Sequence, residues 1–116
     1  MLGIKNGEWS VILDPYPING TFHGFISNPK DKRLFLIGNS PDYDWRLYIA
    51  ELKDNELEVL DAENPPLSHS YPSLGYDPVK ERIIIYGGWG TVLPCKDTWA
   101  ASYSEDKKCF VWKQID

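Results

Sequence analysis

This sequence has few of the residues from which metal sites and nucleophilic sites are built. Its 116 residues include two cysteines, two histidines and one methionine. His23 and His69 have no Cys, Asp or Glu at the spacing of a zinc site, so we expect both to be structural or solvent-exposed. Cys95 and Cys109 have no histidine or comparable activator beside them, so we expect inert thiols. The sequence thus predicts no catalytic residue, no metal ligand and no cofactor.

Positive charge is also scarce. Twelve Lys and Arg residues stand against 17 Asp and Glu residues, which gives a formal net charge of −5. This balance opposes binding to nucleic acid or to an anionic membrane, because both require a basic surface. The acidic excess is concentrated between Asp42 and Glu63, with eight acidic residues and two basic ones. We therefore expect neither nucleic acid nor a membrane as a partner.

Long hydrophobic runs are missing as well. No secretory signal, transit peptide or membrane-spanning segment is visible at the start of the chain. We expect a cytoplasmic protein with reduced thiols; a disulfide between Cys95 and Cys109 is the alternative. No helical period is visible, because nine prolines interrupt nearly every window long enough for a helix. The 14% aromatic share and the nine glycines are typical of short strands and tight turns.

An internal repeat is the strongest pattern that is present. Residues 28–39 and 77–88 each contain an Asn/Asp-Pro turn, a charged tip, an arginine, four apolar residues and a glycine. The similarity extends in both directions, so each repeat reads as four short antiparallel strands. The predicted strands are 22–27, 33–37, 46–52 and 57–60, then 71–76, 82–86, 98–104 and 110–115. Residues 8–13 look like the fourth strand of a further repeat, without the first three strands of that repeat.

The second strand of each repeat decides the architecture. Residues 34–37 and 83–86 are continuous apolar runs, which are typical of strands covered on both faces. Without helices to cover them, sheets stacked as blades satisfy this requirement. The arrangement predicts mostly buried side chains at Leu34, Leu36, Ile83, Ile85, Trp99 and Trp112.

These residues resemble a known repeat. The apolar run before Gly87-Gly88, the triplet Asp97-Thr98-Trp99 and the later Trp112 are similar to the kelch repeat of the galactose-oxidase-like propeller superfamily. The resemblance implies an all-β, partial kelch-type β-propeller with two four-stranded antiparallel blades and one extra N-terminal strand. The positions that would form its structural motif are Gly38, Gly87, Gly88, Asp97, Trp99 and Trp112.

The first repeat departs from the kelch pattern at two places. Asn39 follows Gly38 where a second glycine is expected, and asparagine tolerates the left-handed conformation that glycine would adopt there. Glu58 and Val59 stand where a tryptophan is expected in the fourth strand. Galactose oxidase itself uses copper and a Tyr–Cys crosslink, but the two histidines and two tyrosines of such a site cannot be placed in this sequence. We therefore expect no copper.

The resemblance implies one partial propeller domain over residues 1–116. Its parts would be the trailing strand of a preceding blade, a first blade and a second blade, at residues 1–14, 15–61 and 62–116. A propeller closes with four to eight blades, so two blades leave their outermost faces without neighbours, with Leu36 and Ile84 partly exposed. We expect the chain to self-associate into a ring or to belong to a longer propeller; a small two-sheet sandwich is the alternative.

Two predicted loops carry aromatic residues that are suited to contact with another protein. Asp42, Tyr43, Asp44 and Trp45 follow the second strand of the first repeat, and Trp89 follows that of the second. Loops at a propeller rim are typical binding sites, and exposed aromatics are typical contact anchors. The two aspartates favour a partner with a basic face. Local packing is the alternative for the two tryptophans, and a solvated turn is the alternative for the aspartates.

The function that these features predict is a kelch-like binding module that mediates protein–protein interaction through its blade loops. It rests largely on the resemblance, and a fold by itself does not define a function. Two alternatives stay open: a fragment of a larger propeller enzyme of the same superfamily, and a structural segment with no partner of its own.

Overall fold

The computed structural model describes residues 2–5, 8–11, 17–31, 33–54, 56–67, 69, 71–90 and 94–115, the first two ranges by their backbone alone. These residues form β-strands and turns with one short 3-10 turn, Pro41–Tyr43, and they contain no α-helix. The predicted all-β fold is confirmed. Within the same ranges, no helix is long and apolar enough to cross a bilayer.

The strands form one hairpin and two sheets. The hairpin pairs β1 (Leu2–Lys5) with β2 (Glu8–Val11). The first sheet is an antiparallel meander of β3 (Thr21–Asn28), β4 (Arg33–Asn39), β5 (Leu47–Lys53) and β6 (Glu56–Leu60). The second sheet contains β7 (Ala62–Glu63), β8 (Ser73–Asp77), β9 (Arg82–Tyr86), β10 (Thr98–Ser104) and β11 (Cys109–Gln114), in the order β7-β11-β10-β9-β8. The four strands of each repeat thus form one meander, as predicted.

Matching turns lead into the two apolar strands β4 and β9. Asn28 Oδ1 accepts a hydrogen bond from the backbone N–H of Lys30, and Asp77 Oδ1 accepts from those of Val79 and Lys80. Asn28 and Asp77 each precede a proline, which favours an extended residue before the chain reverses. The Asn/Asp-Pro signal of the repeat therefore marks the same turn in both sheets.

The strand β7 differs from the predicted purely antiparallel pairing, because it runs parallel to β11. Ala62 pairs with Phe110, and Asn64 Nδ2 donates to the Trp112 carbonyl oxygen at 3.3 Å. The pairing stops before Pro65, which has no backbone N–H to donate. This short strand satisfies backbone groups at the outer edge of β11 that an exposed edge would leave unpaired.

The main core lies between the two sheets. One face of each sheet contributes to a single buried cluster, which contains Ile26, Phe35, Ile37, Leu47, Ile49, Ile83, Ile85, Ala101, Phe110 and Trp112. Phe35 and Phe110 meet edge to face across the interface, with ring centroids 5.7 Å apart. Burial of this apolar surface is what holds the sheets together.

The sheets diverge from their first strands towards their fourth. Gly24 of β3 lies so close to β8 that a Cβ added to it would be 2.9 Å from Leu74 Cδ1. At the outer strands the sheets leave a groove of about 560 Å³, whose lining includes Leu60, Tyr103 and Phe110. A wedge of this kind is compatible with neighbouring propeller blades, whereas the sheets of a sandwich stay about 10 Å apart.

Most of the predicted core residues are buried. Leu36, Ile83 and Ile85 have no exposed surface and Trp112 is 1% exposed, while Leu34 and Trp99 are partly buried. The Trp112 indole N–H has no hydrogen-bond partner among the described residues, so this side chain contributes through apolar packing alone.

The outer faces of the two sheets differ from each other. The expectation that Leu36 is partly exposed is wrong, because it packs with Tyr48 and Ala50 in a second buried cluster on the outer face of the first sheet. On the outer face of the second sheet, Ile84 is partly exposed, as predicted, and Tyr86 is 52% exposed. The uncovered apolar face therefore belongs to the second sheet.

The N-terminal strand is part of a hairpin. The predicted strand over residues 8–13 begins where β2 begins, at Glu8, and its last two residues lie outside the described part of the chain. In the described residues β2 pairs with β1 and with neither sheet. The division of the domain into residues 1–14, 15–61 and 62–116 stays a prediction.

Candidate functional site

One end of the two sheets collects the loops around the apolar strands. Because each sheet is a meander, β4 and β9 end there, and β3, β5, β8 and β10 begin there. We name this end the loop rim; it includes residues 40–46 between β4 and β5 and the described residues 87–90 and 94–97 between β9 and β10. All the residues predicted to bind a partner lie at this rim: Asp42, Tyr43, Asp44, Trp45 and Trp89.

Residues 40–46 are shaped by a capped 3-10 turn. Ser40 Oγ accepts from the backbone N–H of Asp42 at 3.1 Å, and the Ser40 carbonyl accepts from the N–H of Tyr43 at 3.1 Å. Pro41 occupies the first position of the turn, where a missing N–H costs nothing. The turn leaves Tyr43 41% exposed, with its ring centroid 6.1 Å from that of Tyr48. The loop thus presents an aromatic ring and a carboxylate to solvent.

Trp45 has a strained backbone. It lies in the left-handed region with φ 58°, directly after Asp44 with φ 56°, and the residue is 54% exposed. For a bulky residue this conformation costs about 1–2 kcal/mol. Two hydrogen bonds of 2.9 Å hold it: Trp45 N–H donates to the Ser40 carbonyl, and Asn39 Nδ2 donates to the Trp45 carbonyl. The fold therefore fixes the backbone of a half-exposed tryptophan.

The glycine pair of the second repeat has the predicted backbone. Gly87 and Gly88 have φ values of 68° and 88°, which favour glycine. Gly87 N–H donates to the Asp97 carbonyl at 3.2 Å, and Cys95 N–H donates to the Gly88 carbonyl at 2.7 Å. Trp89 follows this pair and is 56% exposed. The glycines thus fasten both ends of the loop that carries Trp89.

Gly38 and Asn39 do not copy this geometry in the first repeat. Gly38 is needed for space, since an added Cβ would lie 2.3 Å from the Thr21 carbonyl oxygen and 2.5 Å from Tyr48 Oη. The expectation of a left-handed role for Asn39 is wrong, because Asn39 is extended within β4. Asn39 is 2% exposed, and its contribution is the side-chain hydrogen bond that holds Trp45.

Asp97 connects the kelch-like triplet to His69. Asp97 Oδ2 accepts from Trp99 Nε1 at 2.6 Å, and Asp97 Oδ1 accepts from His69 Nε2 at 2.9 Å. Burial alone would raise the pKa of Asp97, but the hydrogen bonds from Trp99 and His69 lower it overall. His69 is 4% exposed, and its Nδ1 donates to the Leu67 carbonyl. The carboxylate is therefore held on both oxygens.

Cys95 completes a cluster that sequence spacing did not reveal. The ligand atoms of His69, Cys95 and Asp97 all lie within 4.8 Å of one another. Burial, and next the charge of Asp97, raise the pKa of the Cys95 thiol. Both ring nitrogens of His69 face oxygen acceptors, so the ring offers the thiol no free base. The cluster consequently lacks the geometry of an activated nucleophile.

His23 joins the two sheets at the same rim. Its Nε2 donates to Asn39 Oδ1, and its Nδ1 accepts from the Tyr71 backbone N–H at 3.4 Å. Burial lowers the pKa of His23; the Asn39 hydrogen bond opposes this effect and the charge of His69 adds to it. Tyr71 lies edge-on to His23 at 5.7 Å and is 75% exposed. Sequence reasoning missed Tyr71, which adds a further aromatic ring to the loop rim.

No protein-family model matches this chain, and no curated protein matches it significantly in sequence. The kelch resemblance therefore rests on the residues of the chain itself, chiefly Gly87-Gly88, the triplet Asp97-Thr98-Trp99 and Trp112.

Proposed function

We propose that this chain belongs to a kelch-type propeller and acts as a binding module, which docks another protein on its loop rim. Two repeats of the same meander, a glycine pair with positive φ and a wedge between the sheets support the propeller. Exposed aromatic rings on neighbouring loops of one rim support the binding function: Tyr43, Trp45, Tyr71 and Trp89.

The observation that carries the proposal is the backbone of Trp45. A left-handed tryptophan is disfavoured, and it persists where its surroundings hold it in place. The strained backbone does not serve to bury the residue, because Trp45 is 54% exposed. Strain that is kept in order to present an aromatic ring is typical of a contact anchor.

The exposed aspartates of residues 40–46 select the partner. Asp42 and Asp44 flank Tyr43 and are exposed, whereas Glu51 and Glu63 are neutralised by ion pairs with basic side chains elsewhere. The partner is therefore a protein segment rich in Lys and Arg, whose charges complement the two aspartates. Its association rate decreases as salt rises, because exposed charges are screened.

Trp45→Gly separates binding from stability. Glycine keeps the left-handed backbone without strain and removes the ring, so we expect a free energy of unfolding within about 1 kcal/mol of wild type. Asp54→Gly is the matched control, since Asp54 has φ 53° in the β5–β6 turn at the opposite end of the sheet. The probe is a phage-displayed library of random peptides, selected on the immobilised wild-type chain.

We expect the selected peptides to be rich in Lys and Arg, to bind Asp54→Gly like wild type, and to lose at least about tenfold in affinity for Trp45→Gly. Trp89→Ala should also weaken them without unfolding the chain. Peptides that bind Trp45→Gly and Trp89→Ala as tightly as wild type would place the binding surface elsewhere. A selection that enriches no peptide over a blank surface would count against the proposal itself.

A further inference from the structure

We propose that His69 Nε2, Cys95 Sγ and Asp97 Oδ1 form a binding site for a zinc ion at the loop rim. The three residues come from two segments: His69 precedes β8, and Cys95 and Asp97 precede β10. A nitrogen, a sulfur and a carboxylate oxygen are the three ligand types that zinc takes in proteins. The folded chain, and not the spacing in the sequence, brings them together.

The distances between the ligand atoms suit a tetrahedral ion after a small closure. Zinc bonds of about 2.0–2.3 Å set neighbouring ligand atoms about 3.3–3.7 Å apart in a tetrahedron. His69 Nε2 and Asp97 Oδ1 are 2.9 Å apart, and all three atoms lie within 4.8 Å of one another. The ion would separate the first pair slightly and draw the sulfur in by at most about 1.5 Å. Side-chain rotation can supply movements of this size.

Outer hydrogen bonds already hold the ligands as a zinc site requires. His69 Nδ1 donates to the Leu67 carbonyl and keeps its proton there, so Nε2, which donates to Asp97 Oδ1 without the ion, is the nitrogen that can give up its proton and bind the ion. Trp99 Nε1 donates to Asp97 Oδ2 at 2.6 Å, which leaves Oδ1 as the ligand oxygen. A backbone carbonyl behind the histidine is typical of metal ligands, and such outer partners set ligand orientation.

The backbone around the cysteine is fixed as well. Cys95 N–H donates to the Gly88 carbonyl at 2.7 Å, and the Asp97 carbonyl accepts from Gly87 N–H at 3.2 Å. Both ligands are therefore fastened to the glycine pair at the end of β9. Because His69 is 4% exposed and the Asp97 side chain is 27% exposed, the site is sheltered but reachable from solvent.

Three protein ligands leave the fourth tetrahedral position open to water or to a ligand atom from outside the chain. The mixture of imidazole, thiolate and carboxylate favours zinc over magnesium and calcium, which take oxygen ligands. On binding, the Cys95 S–H bond and the His69 Nε2–H bond break and both protons leave to solvent. The electrons of each bond stay on the sulfur and the nitrogen as the lone pairs given to the ion.

Cobalt(II) is the probe for this site, because a thiolate ligand gives it a charge-transfer band in the near ultraviolet and tetrahedral geometry gives it intense visible bands. The full chain, stripped of metal with EDTA and kept reduced, is titrated with Co²⁺ and then with Zn²⁺ in competition. Cys95→Ala removes the sulfur ligand, and Cys109→Ala is the matched control, since Cys109 is the other free thiol and is not part of the cluster. Circular dichroism and the thermal midpoint of each variant report its folding.

We expect one Co²⁺ per chain with both sets of bands, displacement by one equivalent of Zn²⁺, and a thermal midpoint that rises with zinc. Cys109→Ala should behave like wild type. Cys95→Ala should lose the charge-transfer band and bind at least about 100-fold more weakly, the upper end of what loss of an outer partner costs. Asp97→Asn keeps an acceptor for Trp99 and should keep the band with reduced affinity. Folded wild-type chain without a charge-transfer band would overturn the proposal, as would a band that survives in Cys95→Ala.

Discussion

At the scale of single residues, His23 illustrates how neighbours define a role that composition leaves open. As a neutral ring it is matched on both sides, because Nε2 donates to Asn39 and Nδ1 accepts from Tyr71. Protonation would place a second N–H against the Tyr71 backbone N–H, and the charge of His69 further opposes a positive charge on this ring. His23 therefore stabilises the contact between the sheets in its neutral form.

The lowered pKa of His23 gives a pH dependence of defined sign. The unfolded chain protonates this ring below about pH 6.5, whereas the folded chain does so at a lower pH. The free energy of unfolding therefore decreases as the pH falls from about 6.5 to the lower pKa of His23 in the folded chain. Below that pKa it decreases no further on account of His23. We expect urea titrations with EDTA present to show a smaller loss of unfolding free energy between about pH 7.5 and pH 5.5 for His23→Gln than for wild type. Equal losses in the two proteins would mean that His23 does not couple to folding.

At the scale of strands, two glycines with the same strand propensity differ in the space around them. Gly38 in β4 has no room for a methyl group, because a Cβ would meet the Thr21 carbonyl oxygen and the Tyr48 side chain. Gly75 in β8 has no atom within 4 Å of the same position. Gly38→Ala should cost about 2–3 kcal/mol of unfolding free energy through overpacking. Gly75→Ala should change it by less than about 1 kcal/mol, in the stabilising direction, because glycine weakens a strand interior.

Chemical denaturation of both glycine variants, monitored by tryptophan fluorescence, measures this difference. Similar costs at the two positions would show that strand propensity, and not the close approach of β3 and Tyr48 to Gly38, determines the effect.

The strands could be predicted from the sequence because their signals are local. Residues close in sequence determine the turns at Asn28 and Asp77 and the apolar runs after them. The repeat shows the same pattern twice, which supports the prediction. β7 could not be predicted, since Ala62 and Glu63 pair only where the folded chain passes β11. The same reason hid the cluster at the loop rim: His69 and Asp97 are 28 residues apart, and nothing near either residue in sequence indicates the other.

The predicted partner residues lie at one rim because both sheets are antiparallel meanders. In a meander every second loop lies at the same end of the sheet, so the equivalent loops of the two repeats come together. The strain at Trp45 has no signature in composition, because it arises from hydrogen bonds to Ser40 and Asn39. Asn39 itself was expected to replace a glycine by tolerating a positive φ. Its burial and its side-chain contacts depend on the tertiary structure, and its role is instead to hold the Trp45 carbonyl by a hydrogen bond.

At the scale of the whole molecule, the two outer sheet faces are unequal. The first sheet buries Leu36 and Tyr48 on its outer face, whereas the second leaves Tyr86 about half exposed beside a partly buried Ile84. Val111 lies on the same face and is also partly buried. A repeat unit with an open apolar face requires a neighbour, either further blades or another copy of the chain.

This asymmetry predicts self-association through the outer face of the second sheet. Multi-angle light scattering at micromolar concentration should give a discrete oligomer for the wild-type chain. Tyr86→Lys should shift the mass towards the monomer, because it places an unpaired charge in an apolar contact. Val79→Lys is the control: Val79 is 88% exposed in the β8–β9 turn, away from this face, and its variant should keep the wild-type mass. A stable wild-type monomer that unfolds cooperatively would contradict the prediction and would favour a two-sheet sandwich, because the core between the sheets would then suffice by itself.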